Sequence, residues 1–301
     1  METSESINFQ TILLIIIITL IVVSLIVKIV REHFKVVITR YALTSSKLEH
    51  LKDELKIVFL CDLHNRCYGE GNKKILEAIE TECPDLIFVG GDMVVSKFQK
   101  GHGNALRMLK ELSKTYPIYA VNGNHEQRMK EEPEKYGDFT PYKEQLLESG
   151  VKLLENDVTY IFIQGVNIKI SGLELPLSFY KERPRKKVTR KTIKSFIGPA
   201  DDKNFQILLT HYPKHFSMYK SWGADLTLAG HLHGGTIRIP GWRGVISPDG
   251  ELFPKYSGEM TTVGERTIIV SRGLGNHTIP IRLFNPAEIV VITLGKFMKE
   301  Q

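Results

Sequence analysis

Between residues 7 and 27 the chain carries no charged side chain, and residues 12–27 (ILLIIIITLIVVSLIV) are aliphatic almost without interruption. The run is apolar on every side rather than along one stripe, which separates it from a core helix. A helix of about 20 such residues crosses a bilayer, and no Gly or Pro interrupts this one. A cleaved leader starts basic and ends at small residues. Here the start carries Glu2 and Glu5, and Lys28, Ile29, Val30 and Arg31 follow the run. The pattern predicts an uncleaved transmembrane anchor over residues 1–30. No Lys or Arg precedes the span, whereas Lys28, Arg31, Lys35 and Arg40 follow it. That bias predicts a single-pass protein of the cell membrane, with everything after the anchor on the cytoplasmic side.

Residues 31–55 read as a juxtamembrane connector, polar with some helical or strand character. From residue 56 onward short apolar runs alternate with amphipathic stretches. Residues 56–61 (KIVFLC), 86–90 (LIFVG) and 118–121 (IYAV) read as buried strands. Residues 72–82 and 105–113 have apolar positions at helical spacing, and Pro84 ends the first of them. This βαβαβ rhythm predicts a largely parallel sheet. Further on, residues 158–163 and 166–171 flank Gln164-Gly165 as a hairpin, and residues 207–210, 226–229, 267–271 and 289–293 are strand-like. The reading is an α/β domain over residues 56–301, without internal repeats.

Composition changes this picture little. Hydrophobic residues make up 42% and charged residues 25% of 301, an ordinary globular balance with material for a sizeable core. The net charge of +6 is mild and suits a phosphate compound or an anionic membrane surface. It lacks the dense basic face with interleaved aromatics that a nucleic-acid partner asks for. Cys61, Cys67 and Cys83 form no C-x-x-C pair and read as reduced thiols. Residues 181–194 (KERPRKKVTRKTIK) are densely basic. A solvated loop and helix face accounts for them; docking to anionic lipid head groups is the functional alternative that a tether favours.

The chemistry lies just past the strands. After KIVFLC come Asp62 and His64, and after LIFVG comes Asp92. Asn124, His125 and Glu126 follow IYAV; His211 follows ILLT; His231 and His233 follow LTLA. In open α/β sheets that carboxyl edge is where ligands bind. Each piece alone is common; five clusters delivered to one edge form a metal-ligand set of imidazole and carboxylate, with no thiolate. His102 and His277 have no such motif support. Arg66, two residues past His64, is either a surface arginine or a phosphate contact. Glu126 either orients His125 or is a helix N-terminal acid.

The order D-x-H, G-D, G-N-H-E, H, G-H-x-H resembles the calcineurin-like metallophosphoesterase superfamily, over about residues 56–291. Within it the membrane-anchored bacterial phosphodiesterase-like branch is similar, through the D-L-H-N at Asp62, G-L-E at Gly172, G-H-L-H-G-G at Gly230, F-P-K-Y at Phe253 and S-R-G-L-G-N at Ser271. The resemblance implies a four-layer α/β/β/α sandwich and two divalent ions (manganese, iron or zinc). It implies Asp62, His64 and His233 on the first ion, Asn124, His211 and His231 on the second, and Asp92 bridging both. His125 would sit over the substrate without binding metal, and the nucleophile would be a hydroxide between the ions. Asn124 and His125 would stabilise developing charge, and His125 would protonate the leaving group. Gly234 and Gly235 would let the backbone approach the site closely.

The resulting expectation is a tethered phosphodiesterase or pyrophosphohydrolase acting on a small or lipid-linked phosphate ester, a UDP-diacylglucosamine-type pyrophosphate being one such substrate. A phosphomonoester or phosphoprotein phosphatase on the same site is the alternative. A DNA-repair nuclease is disfavoured by the anchor, and a non-catalytic membrane scaffold by the complete ligand set.

Overall fold

Both faces of a strand must be covered for it to read as an unbroken apolar run, and the inner strands here meet that condition. The computed structural model describes residues 8–97, 102–180, 187–248, 250–276 and 281–296. Helix α1 (Phe9–Phe34) leads into strand β1 (Val36–Ser45) with only Lys35 between them. There follow β2 (Leu55–Leu60), α2 (Lys73–Glu82), β3 (Leu86–Val89), α3 (Gly103–Ser113), β4 (Ile118–Ala120), α4 (Asn124–Glu131), α5 (Pro133–Tyr136), α6 (Thr140–Glu148) and β5 (Lys152–Leu153). The second half contains β6 (Asp157–Ile163), β7 (Val166–Leu173), α7 (Arg190–Ile197), β8 (Phe205–Thr210), α8 (Phe216–Trp222), β9 (Leu226–Ala229), β10 (Met260–Val263), β11 (Arg266–Val270) and β12 (Ala287–Lys296).

These strands make two six-stranded sheets, ordered β1-β12-β2-β3-β4-β5 and β10-β11-β9-β8-β7-β6. Alternate side chains of each inner strand enter different cores. On β2, Ile57 and Phe59 point between the sheets, while Val58 and Leu60 point toward α2, α3 and α6. On β8, Ile207 and Leu209 enter the central core and Leu208 packs under α7 and α8. Three cores therefore separate four layers, an α/β/β/α sandwich. Each fully buried Leu, Ile or Phe in them contributes about 1.5–3 kcal/mol.

The β6-β7 hairpin turns on Gln164 and Gly165, both at positive φ (50° and 94°), as a two-residue type I′ turn requires. The stretch read as a connector behaves differently from a linker. Residues 36–45 pair in parallel, residue by residue, with β12 and close one edge of the first sheet. Eight of the fourteen residues of the basic run, 187–194, are described, the last five of them within α7; residues 181–186 and His277 lie outside the described residues.

The last turn of α1 is docked rather than free. Glu32 is buried, receives the Asn285 amide at 2.9 Å and pairs with Lys28 at 3.0 Å. The His33 carbonyl accepts from the Arg66 guanidinium, and the His33 ring meets Asn276 at 3.2 Å.

Candidate metal centre

Five of the seven ligand-type side chains start from a strand end at which the backbone turns sharply. Asp62, His64, Asp92, His231 and His233 all hold positive φ, between 49° and 71°. That region is unfavourable for residues with a Cβ, and strain of this kind collects at functional sites. The turns let the five side chains double back over the sheet edge. The close packing of strand ends also fixes Gly230: a Cβ there would collide with Cys61 Sγ and the Asp62 carboxylate.

Four overlapping groups of donor atoms result, those of each group lying within 4.8 Å of one another: Asp62, His64 and His233; Asp92, His211 and His231; His64, Asp92 and His125; and Cys61, Asp62 and His211. In the first, His64 and His233 stack with their Nε2 atoms 3.0 Å apart, and His233 Nε2 lies 3.4 Å from Asp62 Oδ1. In the second, His211 Nε2 lies 3.2 Å from Asp92 Oδ2, with His231 completing the group. Asn124 Oδ1 stands 2.7 Å from His231 Nδ1. Asp92 stands between the groups, its Oδ2 also 4.0 Å from His64 Nε2. The Gly90 carbonyl accepts from His211 Nδ1 at 2.7 Å and so directs Nε2 toward Asp92, where it is placed to bind an ion once its proton is displaced.

Electrostatics favour cations. Burial opposes charge on His211, yet Asp92 and then Asp62 outweigh it and push the imidazole up to about 10. Burial pushes Asp62 up as well, while Asp92 is held well below the usual carboxylate range by His211 and His125 against its own burial. Buried carboxylates converging with imidazole lone pairs need a positive partner. The donor set of nitrogen and oxygen fits divalent manganese, iron or zinc. Cys61 touches the edge of this set, but burial pushes its thiol far up and its Sγ faces the Gly91 carbonyl at 3.7 Å.

His125 sits beside His64, with ring centroids 4.9 Å apart. Ser96 holds it: the Ser96 amide donates to Nδ1 at 2.9 Å and the hydroxyl lies at 2.8 Å. A backbone N–H can only donate, so Nδ1 is the acceptor and the neutral ring carries its proton on Nε2. Glu126 does not orient His125. Its carboxylate accepts the amides of Asp92 (2.9 Å), Met93 (2.8 Å), Val94 (3.3 Å) and Gly123 (3.0 Å). It thus caps α4 and ties the G-D loop to the G-N-H-E loop; burial and the Asp92 charge push it up to about 8.

Several expectations change in detail. Arg66 stacks 4.7 Å over Tyr68 and its Nη2 donates to the His33 carbonyl of α1, while its Nη1 is buried without a hydrogen-bond partner. Gly234 makes room for Asn285, whose amide donates to the His233 carbonyl at 2.7 Å and to that of Gly235. His102 stands at the start of α3, away from the ligand groups, beside Tyr142. The sequence reading missed Ser96, Asn285 and two aromatic walls: Tyr180 and Tyr212 lie 5.5 and 4.9 Å from the His231 ring. None of the four belongs to a metal-type motif, and only Tyr212, next to His211, offered a positional signal.

The profile of the calcineurin-like phosphoesterase family matches residues 55–235. YkuE, an uncharacterised metallophosphoesterase of Bacillus subtilis, is 29% identical over 261 residues, which cover 85% of this chain and 84% of its own. The Escherichia coli phosphodiesterase YaeI is 26% identical over 243 residues, 78% of this chain and 82% of its own. Cj0846, an uncharacterised metallophosphoesterase of Campylobacter jejuni, is 29% identical over 255 residues; the match takes in 82% of this chain and 61% of that longer protein. A solved archaeal phosphodiesterase overlays at a TM-score of 0.39 and 16% identity, covering 74% of this chain and 88% of its own. The profile match opens at the first residue of β2 and closes two residues after His233, so it spans every strand end that carries a ligand-type side chain. The chain belongs to the calcineurin-like phosphoesterase family, hydrolases that act on phosphoester bonds.

Proposed function

We propose that the chain hydrolyses a phosphodiester or pyrophosphate bond at a dinuclear metal centre, on a domain held at the cytoplasmic face of a membrane by α1. The observation that carries this reading is the position of Asp92 between two ligand groups. Asp62, His64 and His233 would hold one ion; Asn124, His211 and His231 the other; Asp92 both. Two such ions supply Lewis-acid charge and lower the pKa of water toward neutrality.

The chain's own residues then do the rest. His125 presents its Nε2 proton to the leaving oxygen, with Ser96 fixing the ring and the tautomer. Asn124 serves as ligand and as a dipole toward developing negative charge. Glu126 holds the two ligand loops in register. Tyr180 and Tyr212 wall one side and exclude water.

Two features support the tether. At about 1.5 Å per residue, the 26 residues of α1 span roughly 39 Å, more than the ~30 Å of hydrocarbon in a bilayer. Its apolar run is exposed along its length, and the Lys/Arg that follow favour an inside location.

The test is turnover by the full chain, with manganese, of bis(p-nitrophenyl) phosphate against p-nitrophenyl phosphate. The diester reading expects faster metal-dependent release from the first. Preference for the monoester would move the assignment to a phosphomonoesterase on the same site, and no turnover of either by metal-loaded protein would overturn the enzyme reading.

A further inference from the structure

Five large apolar side chains stand exposed on the segment 237–253 and on residue 284, beside the segment's bridge partner Leu283: Ile239, Trp242, Leu252, Phe253 and Phe284. Trp242 is 51% exposed and its ring lies 5.6 Å from that of Phe253. Scattered single apolar residues need no explanation, but a cluster does. Backbone strain adds to the case. Phe253 and Phe284 hold φ of 50° and 54°, a region in which a bulky residue is an outlier. In each case a costly backbone keeps an aromatic ring at the surface.

The cluster adjoins α1. Lys28, the first cation after the apolar run, lies 5.4 Å over the Phe284 ring. Leu283, next to Phe284, pairs with Ile237, two residues before Ile239. Arg238 then carries the connection onward, donating to the Trp242 carbonyl at 2.8 Å and to the Gly234 carbonyl at 3.0 Å. With Lys28 at the end of the membrane run, Phe284 sits at the depth where hydrocarbon meets head groups. Trp at that depth, with basic neighbours, is the composition of an interfacial contact. Arg243 stacks 5.1 Å over Trp242 and Lys255 is exposed nearby. The acid beside Leu252, Glu251, is paired with Lys214 at 2.8 Å.

We propose that this surface docks on the bilayer that α1 spans, so that the domain lies against the membrane rather than hanging from it. The inference rests on the tether reading above and deepens it. The absence of a linker between α1 and β1 holds the patch in place. Asn285, adjacent to Phe284, grips the His233 and Gly235 carbonyls, so the docked surface is the back of a ligand loop. The metal centre then stands beside the head groups, and the substrate it meets there is a phosphate ester carried by a lipid.

The chain has two tryptophans, Trp222, which is 4% exposed, and Trp242. The test reconstitutes the full chain and its W242F variant in phosphatidylcholine–phosphatidylglycerol vesicles, with and without bromine on the acyl chains. Docking expects brominated lipid to remove the emission that W242F lacks, with little loss on adding aqueous iodide. Equal emission in the two lipids, with iodide quenching intact, overturns the docking. Protection from both quenchers also overturns it and assigns the patch to contact with a second copy of the chain. The two readings separate by flotation: vesicles that carry the chain while Trp242 is unquenched leave the tether standing, and a chain that does not float with them removes both.

Discussion

Ser96 and Glu126 illustrate how single residues set the geometry of the site through hydrogen bonds alone. Because the Ser96 amide occupies His125 Nδ1, the neutral ring carries its proton on Nε2, which is the proton the proposed mechanism gives to the leaving group. Replacing His125 with Gln is expected to lower kcat by about 10²–10⁴-fold on a diester with a poor leaving group. The loss should be smaller on a p-nitrophenyl ester, which needs little protonation. Equal losses on the two substrates would remove His125 as the acid. Glu126 satisfies four buried amides through two oxygens. Glu126→Gln sets an NH2 group against some of them, and each stranded donor costs about 1–3 kcal/mol. Urea denaturation should register that loss, with weaker metal retention beside it; unchanged stability would mean the loops are held some other way.

At the scale of elements, β1 is the strand with the largest consequence. It covers the open edge of β12 over ten residues. A fragment beginning at Ser46 would leave that edge bare, and bare edges template aggregation. It is expected to be less soluble and to melt lower than a fragment beginning at Lys35; equal behaviour would make β1 dispensable. The pH dependence of the helical layer over the second sheet follows from His215, at the start of α8. Burial, with Lys214 adding to it, holds this imidazole below its ordinary value, against a backbone contact with Phe179. The ring also faces Tyr212 and Tyr219. The unfolded chain, with a histidine pKa of about 6.5, takes up a proton that the folded chain refuses. Stability is therefore intact above that value and falls as the pH drops below it. The melting temperature should fall less for His215→Gln than for the parent on going from about pH 7 to about pH 5. Metal loss in acid affects both proteins, so the difference isolates His215; identical slopes would contradict the assignment.

The same scale explains what was legible in the sequence. Strands covered on both faces, such as β2, β3 and β8, carry the apolar runs IVFL, LIFV and ILL, and their ends exposed the ligand clusters directly. The edge strand β1 is half exposed, so VVITRYALTS carries too weak a pattern to separate it from a connector. Two-residue β5 is below any periodic signal. Ser96 and Asn285 act through backbone partners distant in sequence, and Arg66 through its meeting with α1; no local pattern encodes such contacts. The hairpin at Gln164-Gly165 was legible because turn chemistry is local.

At the scale of the whole molecule, α1 runs into β1 through one residue, and its last turn is gripped by Asn285, Arg66 and Asn276. Anchor and domain should therefore move together. Cys67 and Cys83 are exposed thiols and Cys61 is buried, so the natural chain reports its own topology. A membrane-impermeant maleimide applied to intact cells should leave Cys67 and Cys83 unlabelled and should label them after lysis. Labelling in intact cells would reverse the orientation. The proposed hydrolysis requires two ions, both of which Asp92 would help to hold. The most direct measurement of that requirement follows metal content and diester turnover together in the full chain, chelated and then titrated with manganese. The account predicts turnover that rises with the second equivalent bound, and an Asp92→Asn chain that fails to reach it; full turnover at one equivalent, or a wild-type rate from Asp92→Asn, would contradict it.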